Sequence, residues 1–329
     1  MGRLILILAL IVYSLGTEAI AQWKPIGTLR TKAVWITTDQ EHYVYLITTQ
    51  GRIEKWGTPL HKPLYEIDTI YTIDPKIDTI IKADTIFTID PISDSESMTV
   101  HIDTTYDTTM LETVHYDTVK IIRQDTLLYY TFSPELGKPS TLQWVKPGVL
   151  LAYYKDAQTI VFYDNTLSEL YKLPMNSIGM EDVEAVCGGP GRTLWIYDKG
   201  KKRLFLYNYL LKKTMESSFV PMELGFVPDA TSITWDGNHL IMCDSLRATF
   251  VFDDEGLLQR RIEFKCSRAD IAEEYIALIG KPGIRILDKE TLQSKKFWTQ
   301  TGKPNTATHY TGDMLIIGTP NGVILYVKR

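Results

Sequence analysis

The chain has 329 residues, is 44% hydrophobic and carries a formal net charge of −5. Such a length suits one large all-β domain or two small ones. Net acidity, with no Lys/Arg cluster interleaved with aromatics, argues against nucleic acid as a partner, and three cysteines are too few for a disulfide scaffold.

Residues 1–21 read as an export signal. Arg3 supplies a positive start, Leu4 to Val12 is a short apolar run, and Ala19-Ile20-Ala21 offers small residues to a signal peptidase, with cleavage before Gln22. The run is too short for a membrane span. No cysteine stands near the cleavage point to carry a lipid anchor, and no later segment has a span's length of apolar residues. The expectation is an exported mature chain without a transmembrane segment, in a bacterial periplasm or at the cell surface.

Residues 22–60 are read as a first β-meander with a closing strand. Ala33-Val-Trp-Ile-Thr-Thr and Tyr43-Val-Tyr-Leu-Ile-Thr-Thr alternate as strands, and Gln50-Gly51 turns into Arg52-Ile-Glu-Lys-Trp. Residues 61–135 break the pattern: from Thr58 to Leu136 there is no glycine, although glycine normally supplies the turns of a meander. This segment holds 14 Asp and Glu against 5 Lys and Arg, and Ile67-Asp-Thr-Ile-Tyr-Thr-Ile-Asp-Pro returns as Ala83-Asp-Thr-Ile-Phe-Thr-Ile-Asp-Pro. It is expected to be an acidic Asp-Thr insertion, either an exposed β-ribbon or an extended linker kept soluble by its carboxylates.

Residues 136–329 carry a repeating phrase in which an apolar strand runs into an Asp- or Asn-led turn. It appears as Val161-Phe-Tyr-Asp-Asn, Leu204-Phe-Leu-Tyr-Asn, Phe250-Val-Phe-Asp-Asp and Ile284-Arg-Ile-Leu-Asp, and the chain ends on Val323-Ile-Leu-Tyr-Val. Spacings of roughly 35 to 45 residues match the period of a four-stranded propeller blade. Counting the N-terminal meander gives six units. The last stops after its third strand, so Trp23-Lys-Pro-Ile-Gly-Thr-Leu is expected to complete it. The predicted fold is an all-β, six-bladed β-propeller with N-terminal strand closure. Helix is expected at most over single turns near Met180–Ala185 and Ala269–Tyr275, the second of which also fits an inner strand.

One blade carries a more specific pattern. Asp198, Gly200, Arg203 and Asn208 in Leu194-Trp-Ile-Tyr-Asp-Lys-Gly-Lys-Lys-Arg-Leu-Phe-Leu-Tyr-Asn resemble an NHL-type blade, and Asp244, Asp253 and Asp288 keep parts of it. The resemblance implies that these residues tie neighbouring strands together and have a structural role. It extends to exported six-bladed proteins known only by shape, and fixes no substrate.

Chemistry in such a fold is expected at the channel mouth, where the starts of the inner strands converge. Asp182 and Glu184, Asp229 and Thr231, Arg268 and Asp270, and Asn305 and Thr306 fall at that position in successive units. Glu184, Asp229 and Asn305 are the candidate oxygen ligands of a Ca²⁺ ion, which takes six to eight; six-bladed lactonases carry a metal of this kind, and no other cofactor is expected. There is no Gly-x-Ser-x-Gly elbow, and Cys187-Gly-Gly-Pro-Gly-Arg lacks the Lys-Ser/Thr of a phosphate loop. Trp56, Trp144, Trp195, Trp235 and Trp298 recur from blade to blade and are read as inter-blade packing. With no catalytic set in view, the expected function is a monomeric, non-enzymatic scaffold that binds a protein partner, for example an envelope complex. The alternatives are a Ca²⁺-dependent lactonase or hydrolase and a carbohydrate-binding propeller.

Overall fold

The computed structural model describes residues 23–58, 64–67, 85–88, 120–121, 127–208, 210–299 and 307–328. The chain divides into two compact units, one built from both sides of the acidic segment and the other spanning Gly57–Thr126. In the larger unit the described strands form six four-stranded antiparallel sheets.

Blade 1 runs Ala33–Thr38, Val44–Thr48, Ile53–Trp56 and Leu127–Thr131 from inner to outer strand. Blade 2 holds Thr141–Lys146, Val149–Tyr154, Thr159–Tyr163 and Glu169–Pro174. Blade 3 holds Val183–Gly188, Thr193–Asp198, Arg203–Asn208 and Lys213–Glu216. Blade 4 holds Ser232–Trp235, Leu240–Cys243, Thr249–Phe252 and Leu258–Ile262. Blade 5 holds Arg268–Ile271, Tyr275–Gly280, Gly283–Asp288 and Ser294–Thr299. Blade 6 takes Ala307–Tyr310, Met314–Thr319 and Gly322–Lys328, and its outer strand is Trp23–Leu29. The first strands of the six blades neighbour one another around a closed ring. This is the six-bladed propeller that the repeat predicts.

Closure is as expected. Trp23 faces Lys328 and Leu29 faces Val323 across the antiparallel pair, with one register shift between Pro25 and Gly27. A proline that cannot donate to a ladder is tolerated on such an outer strand. Gly322 has φ +150°, and a Cβ there would fall 2.6 Å from the Leu29 carbonyl oxygen, so the closing strand lies against a position that only glycine fills without displacement.

The middle strands of each blade are buried on both faces because each blade packs between two others. All five residues of Thr159–Tyr163 are buried, whereas the outer Glu169–Pro174 is mostly exposed. The apolar core is accordingly divided among the blade interfaces. Leu151, Ile160, Val186 and Ile196 join blades 2 and 3; Trp195, Leu206, Met242 and Phe250 join blades 3 and 4. Each such buried side chain contributes about 1.5–3 kcal/mol. Trp144 meets Tyr45 of blade 1 edge-on at 4.9 Å, Trp195 meets Trp235 at 6.1 Å and Trp298 meets Tyr310 at 5.8 Å. Trp56 packs on the apolar cluster shared by blades 6 and 1 and donates from Nε1 to Glu54 within its own blade.

The Asp/Asn-led turns have a common hydrogen-bond pattern. Asp164 Oδ1 accepts from the amides of Thr166 and Ser168, Asn208 Oδ1 from Leu210 and Lys212, and Asp253 Oδ1 from Glu255 and Leu257. Asp288 Oδ1 accepts from the Thr291 amide. A short carboxylate or amide side chain satisfies the turn amides that the sheet leaves free. The residues of the more specific blade pattern bind one segment to another. Asp198 accepts from the amides of Lys201 and Glu181, and Arg203 Nη1 donates to Ser217 O at 2.6 Å. Asp244 repeats the arrangement in blade 4, accepting from Leu246 and Asp229. Cys187, Cys243 and Cys266 are buried free thiols.

Two sequence expectations are corrected, and of the two readings of Ala269–Tyr275 the inner strand holds. Leu127–Thr131 lies inside the expected 61–135 insertion, yet it pairs with Ile53–Trp56 as the outer strand of blade 1; the apolar Leu127-Leu-Tyr-Tyr-Thr pattern re-enters the sheet before the acidic composition ends. Val183 opens an inner strand, so Met180–Ala185 is not helical, and among the described residues the short helices lie at Met175–Ile178 and Val220–Leu224. Pro221 near the start of the second, followed by Gly225 in the left-handed region, brackets a single turn. Arg268–Ile271 is the inner strand of blade 5.

In the smaller unit, Leu64–Ile67 pairs antiparallel with Thr85–Thr88 and with Lys120–Ile121. The rest of the expected Asp-Thr ribbon or linker lies outside the described residues. Among the described residues, no helix is long and apolar enough to cross a membrane.

Candidate functional site at the central channel

The inner strands carry different chemistry at their two ends. At their starts, Glu184 opens blade 3 with a side chain only 10% exposed, 2.8 Å from Lys155 and 4.0 Å from Lys199. Lys199 also pairs with Asp229 ahead of blade 4. Lysine therefore separates the two candidate carboxylates, and Lys199 holds the Asp229 carboxyl below its ordinary range. Asn305 lies outside the described residues. Among the described residues, no group of three or more His, Cys, Asp or Glu side chains is placed to hold a metal ion.

At the opposite ends of the inner strands the channel widens into a cavity of about 560 Å³, lined by residues from all six blades; neither Glu184 nor Asp229 is among them. On one wall four side chains join blades 5, 6 and 1. Arg268 and Asp270 are two apart on one inner strand and so share a face. Arg268 Nε donates to Asp270 Oδ1 at 3.0 Å, and Arg268 Nη2 donates to the same oxygen. Asp270 Oδ2 accepts the Tyr310 amide at 3.0 Å and lies 3.0 Å from His309 Nδ1. His309 Nε2 is 3.0 Å from Thr38 Oγ1. The Arg268 guanidinium lies over the Trp35 ring at 4.3 Å, and Trp35 Nε1 donates to Leu142 O of blade 2 at 2.7 Å.

Asp270 and Arg268 are almost fully buried, with side chains 3% and 9% exposed. Burial by itself would raise the Asp270 carboxyl, but the Arg268 charge and the hydrogen bonds from Arg268 and His309 hold it below the ordinary range. The approach of Asp270 Oδ2 assigns a proton to His309 Nδ1, which leaves Nε2 to accept from the Thr38 hydroxyl. Hydroxyl, imidazole and carboxylate thus stand in the order of a nucleophile, base and orienting acid. Arg268 changes what that order can do. Its Nη2 lies 3.2 Å from His309 Nδ1, so an imidazolium formed by accepting the Thr38 proton would sit against a guanidinium. The carboxylate that would stabilise that imidazolium is already paired with Arg268. The cluster is built to join three blades, and poorly built to generate an alkoxide.

The rest of the wall is neutral or balanced. Lys55, Lys146 and Arg268 face Asp39, Glu41 and Asp270. Asp39 Oδ1 accepts the amides of Glu41 and Tyr43, and Oδ2 accepts from Tyr45; burial nevertheless pushes its carboxyl up. Lys55 Nζ donates to Asn165 O and lies 4.0 Å from the centre of the Tyr43 ring.

Sequence reasoning placed Arg268 and Asp270 on the channel but left both out of the candidate ligand set. It gave His309, Thr38 and Trp35 no role. The legible signal was opposite charges two residues apart in an inner strand; nothing local ties His309 or Thr38 to them.

No family model matches the sequence, and no curated protein matches it. Among solved structures the chain is similar to the WD40 β-propeller domain of Doa1, with a TM-score of 0.49 and 16% identity over 93% of this chain and 97% of that one. It is also similar to the computationally designed Ika8 protein, with a TM-score of 0.44 and 11% identity over 93% and 98%. A third likeness, to the Kuenenia stuttgartiensis hydrazine synthase, has a TM-score of 0.41 and 13% identity over 54% of this chain and 55% of that one. None of these likenesses bears on chemistry.

Proposed function

We propose that the protein is an exported, monomeric, non-enzymatic propeller of NHL-like type that binds a protein partner in the cell envelope. The observation that carries this reading is the outer strand of blade 1. Leu127, Leu128, Tyr129 and Tyr130 are 38%, 44%, 45% and 61% exposed, and Phe132 just beyond them is 49% exposed; among the described residues their strand has a sheet partner on one side only. Native sheets blunt such edges with charge, proline or short strands. An unblunted run of large apolar side chains marks an interaction surface, and an extended segment of a partner adds to it by backbone pairing.

Export is supported by the signal-like sequence from Arg3 to Ala21. The non-enzymatic reading is supported by the pairing of Asp270 with Arg268. The test is co-purification from envelope extracts with the wild type and a Leu128→Asp/Tyr130→Asp double variant. The variant is expected to keep its unfolding midpoint and lose its partner; a partner retained by the variant refutes the edge-strand reading. N-terminal sequencing of the exported chain is expected to begin at Gln22.

A further inference from the structure

The cavity at the ends of the inner strands has features that neither the blade-joining network nor the edge strand uses. Three half-buried indoles line it: Trp35 from blade 1, Trp144 from blade 2 and Trp235 from blade 4. Arg268 covers one face of Trp35, and Tyr45 and Trp195 pack on Trp144 and Trp235, so each ring is fixed from behind. Between them stand neutral hydrogen-bonding side chains. Gln143 Nε2 donates to Ile233 O of blade 4 at 3.1 Å, which stretches its amide across the channel past Gly188. Of the residues that line the cavity, Gly188 alone comes from blade 3. Thr234 Oγ1 donates to Ala269 O at 3.2 Å, so its lone pairs are left to accept.

The charges exclude classes of ligand. Three cationic side chains, Lys55, Lys146 and Arg268, face three carboxylates, Asp39, Glu41 and Asp270, so neither an anion nor a cation gains strong net attraction at the wall. What fits is a neutral ring with an apolar face for an indole and hydroxyls that both donate and accept. A volume of about 560 Å³ is within the usual range for small-molecule sites and accommodates one or two such rings. The geometry points to a saccharide site in the channel, with Trp144 and Trp235 stacking on pyranose faces and Gln143 and Thr234 bonding their hydroxyls. This inference is independent of the edge strand of blade 1, so the two readings fail separately.

The test is intrinsic tryptophan fluorescence and calorimetry on the full mature chain, titrated with maltose, cellobiose, lactose and N,N′-diacetylchitobiose, with choline chloride as the cationic control. At least one disaccharide is expected to bind saturably. Trp235→Ala is expected to weaken it about tenfold, a loss of about 1.4 kcal/mol, and Trp235→Phe by less, since a smaller aromatic face remains to stack. Should Trp235→Ala fail to fold, Gln143→Ala, which removes no core side chain, is expected to weaken binding several-fold on its own. Trp298→Phe, on blade 5 and outside the cavity, is expected to leave binding unchanged. The inference is overturned if none of the disaccharides gives a saturable response. Unaltered binding in both Trp235→Ala and Gln143→Ala, or a preference for choline, overturns it equally.

Discussion

The two ends of the inner-strand ring carry similar charges and treat them differently. At the starts, Lys155, Glu184, Lys199 and Asp229 form a chain of alternating sign that crosses from blade 2 to blade 4 with three of its members well exposed. At the other end, Arg268, Asp270 and His309 make an equally close set under nearly complete burial. Solvent screens the first and barely reaches the second. A buried carboxylate that loses its partner has nothing to replace it, whereas an exposed one is resolvated. Proximity of charges is therefore a poor guide to importance in this molecule, and burial a good one.

The comparison is broken most directly by deleting one charge at each end. Asp270→Ala leaves Arg268 buried without its counter-ion and is expected to cost about 3–5 kcal/mol in urea unfolding. An effect below about 1 kcal/mol would mean that the Arg268 cluster is as screened as the exposed chain. The closing strand offers the next test. Gly322→Ala pushes a Cβ toward the Leu29 carbonyl, and the expected loss is on the order of 1–3 kcal/mol, with the Trp23–Leu29 amides exchanging faster in hydrogen-exchange measurements.

Acid sharpens the contrast through Asp270. Its carboxyl is held below 3.8 in the folded chain, while the unfolded chain titrates near the ordinary value. The stabilisation is then complete above about pH 4 and is lost as the pH falls through the folded value. Unfolding midpoints taken from pH 6 down to pH 2 are expected to drop more steeply for the wild type than for Asp270→Asn. Parallel curves would remove Asp270 from the acid response. The smallest effect belongs to the exposed chain: Lys199→Ala is expected to change stability by no more than about 1 kcal/mol. With lysine occupying the space between Glu184 and Asp229, Ca²⁺ is expected to leave the melting temperature where EDTA leaves it. An upward shift with Ca²⁺ would restore those carboxylates as ligands.

Between these two ends lies the difference in what the sequence made readable. The Asp and Asn residues that lead the turns, at 164, 208, 253 and 288, were visible because a turn binds its own amides within two to four residues. Glu184 and Asp229 were visible as a repeating position but not as partners of lysine, since Lys155 and Lys199 lie in other turns, brought alongside only when blades stack. The end of the insertion was misplaced because Leu127–Thr131 is apolar and β-prone like the segment before it, and only pairing with Ile53–Trp56 marks it as a blade strand.

By itself the sequence determined the architecture: a period of about forty residues, apolar strands ended by side-chain-capped turns, and a last unit one strand short. Each of these is written by local rules, in strand propensity, turn hydrogen bonding and the need to pair an edge. Only the tertiary structure decided where the ring's contents lie. Thr38, Asp270 and His309 come from three blades, separated by up to 271 positions, as do the tryptophans of the cavity. Closing the ring is what brings such distant inner strands together, so no local pattern announces the residues that meet there.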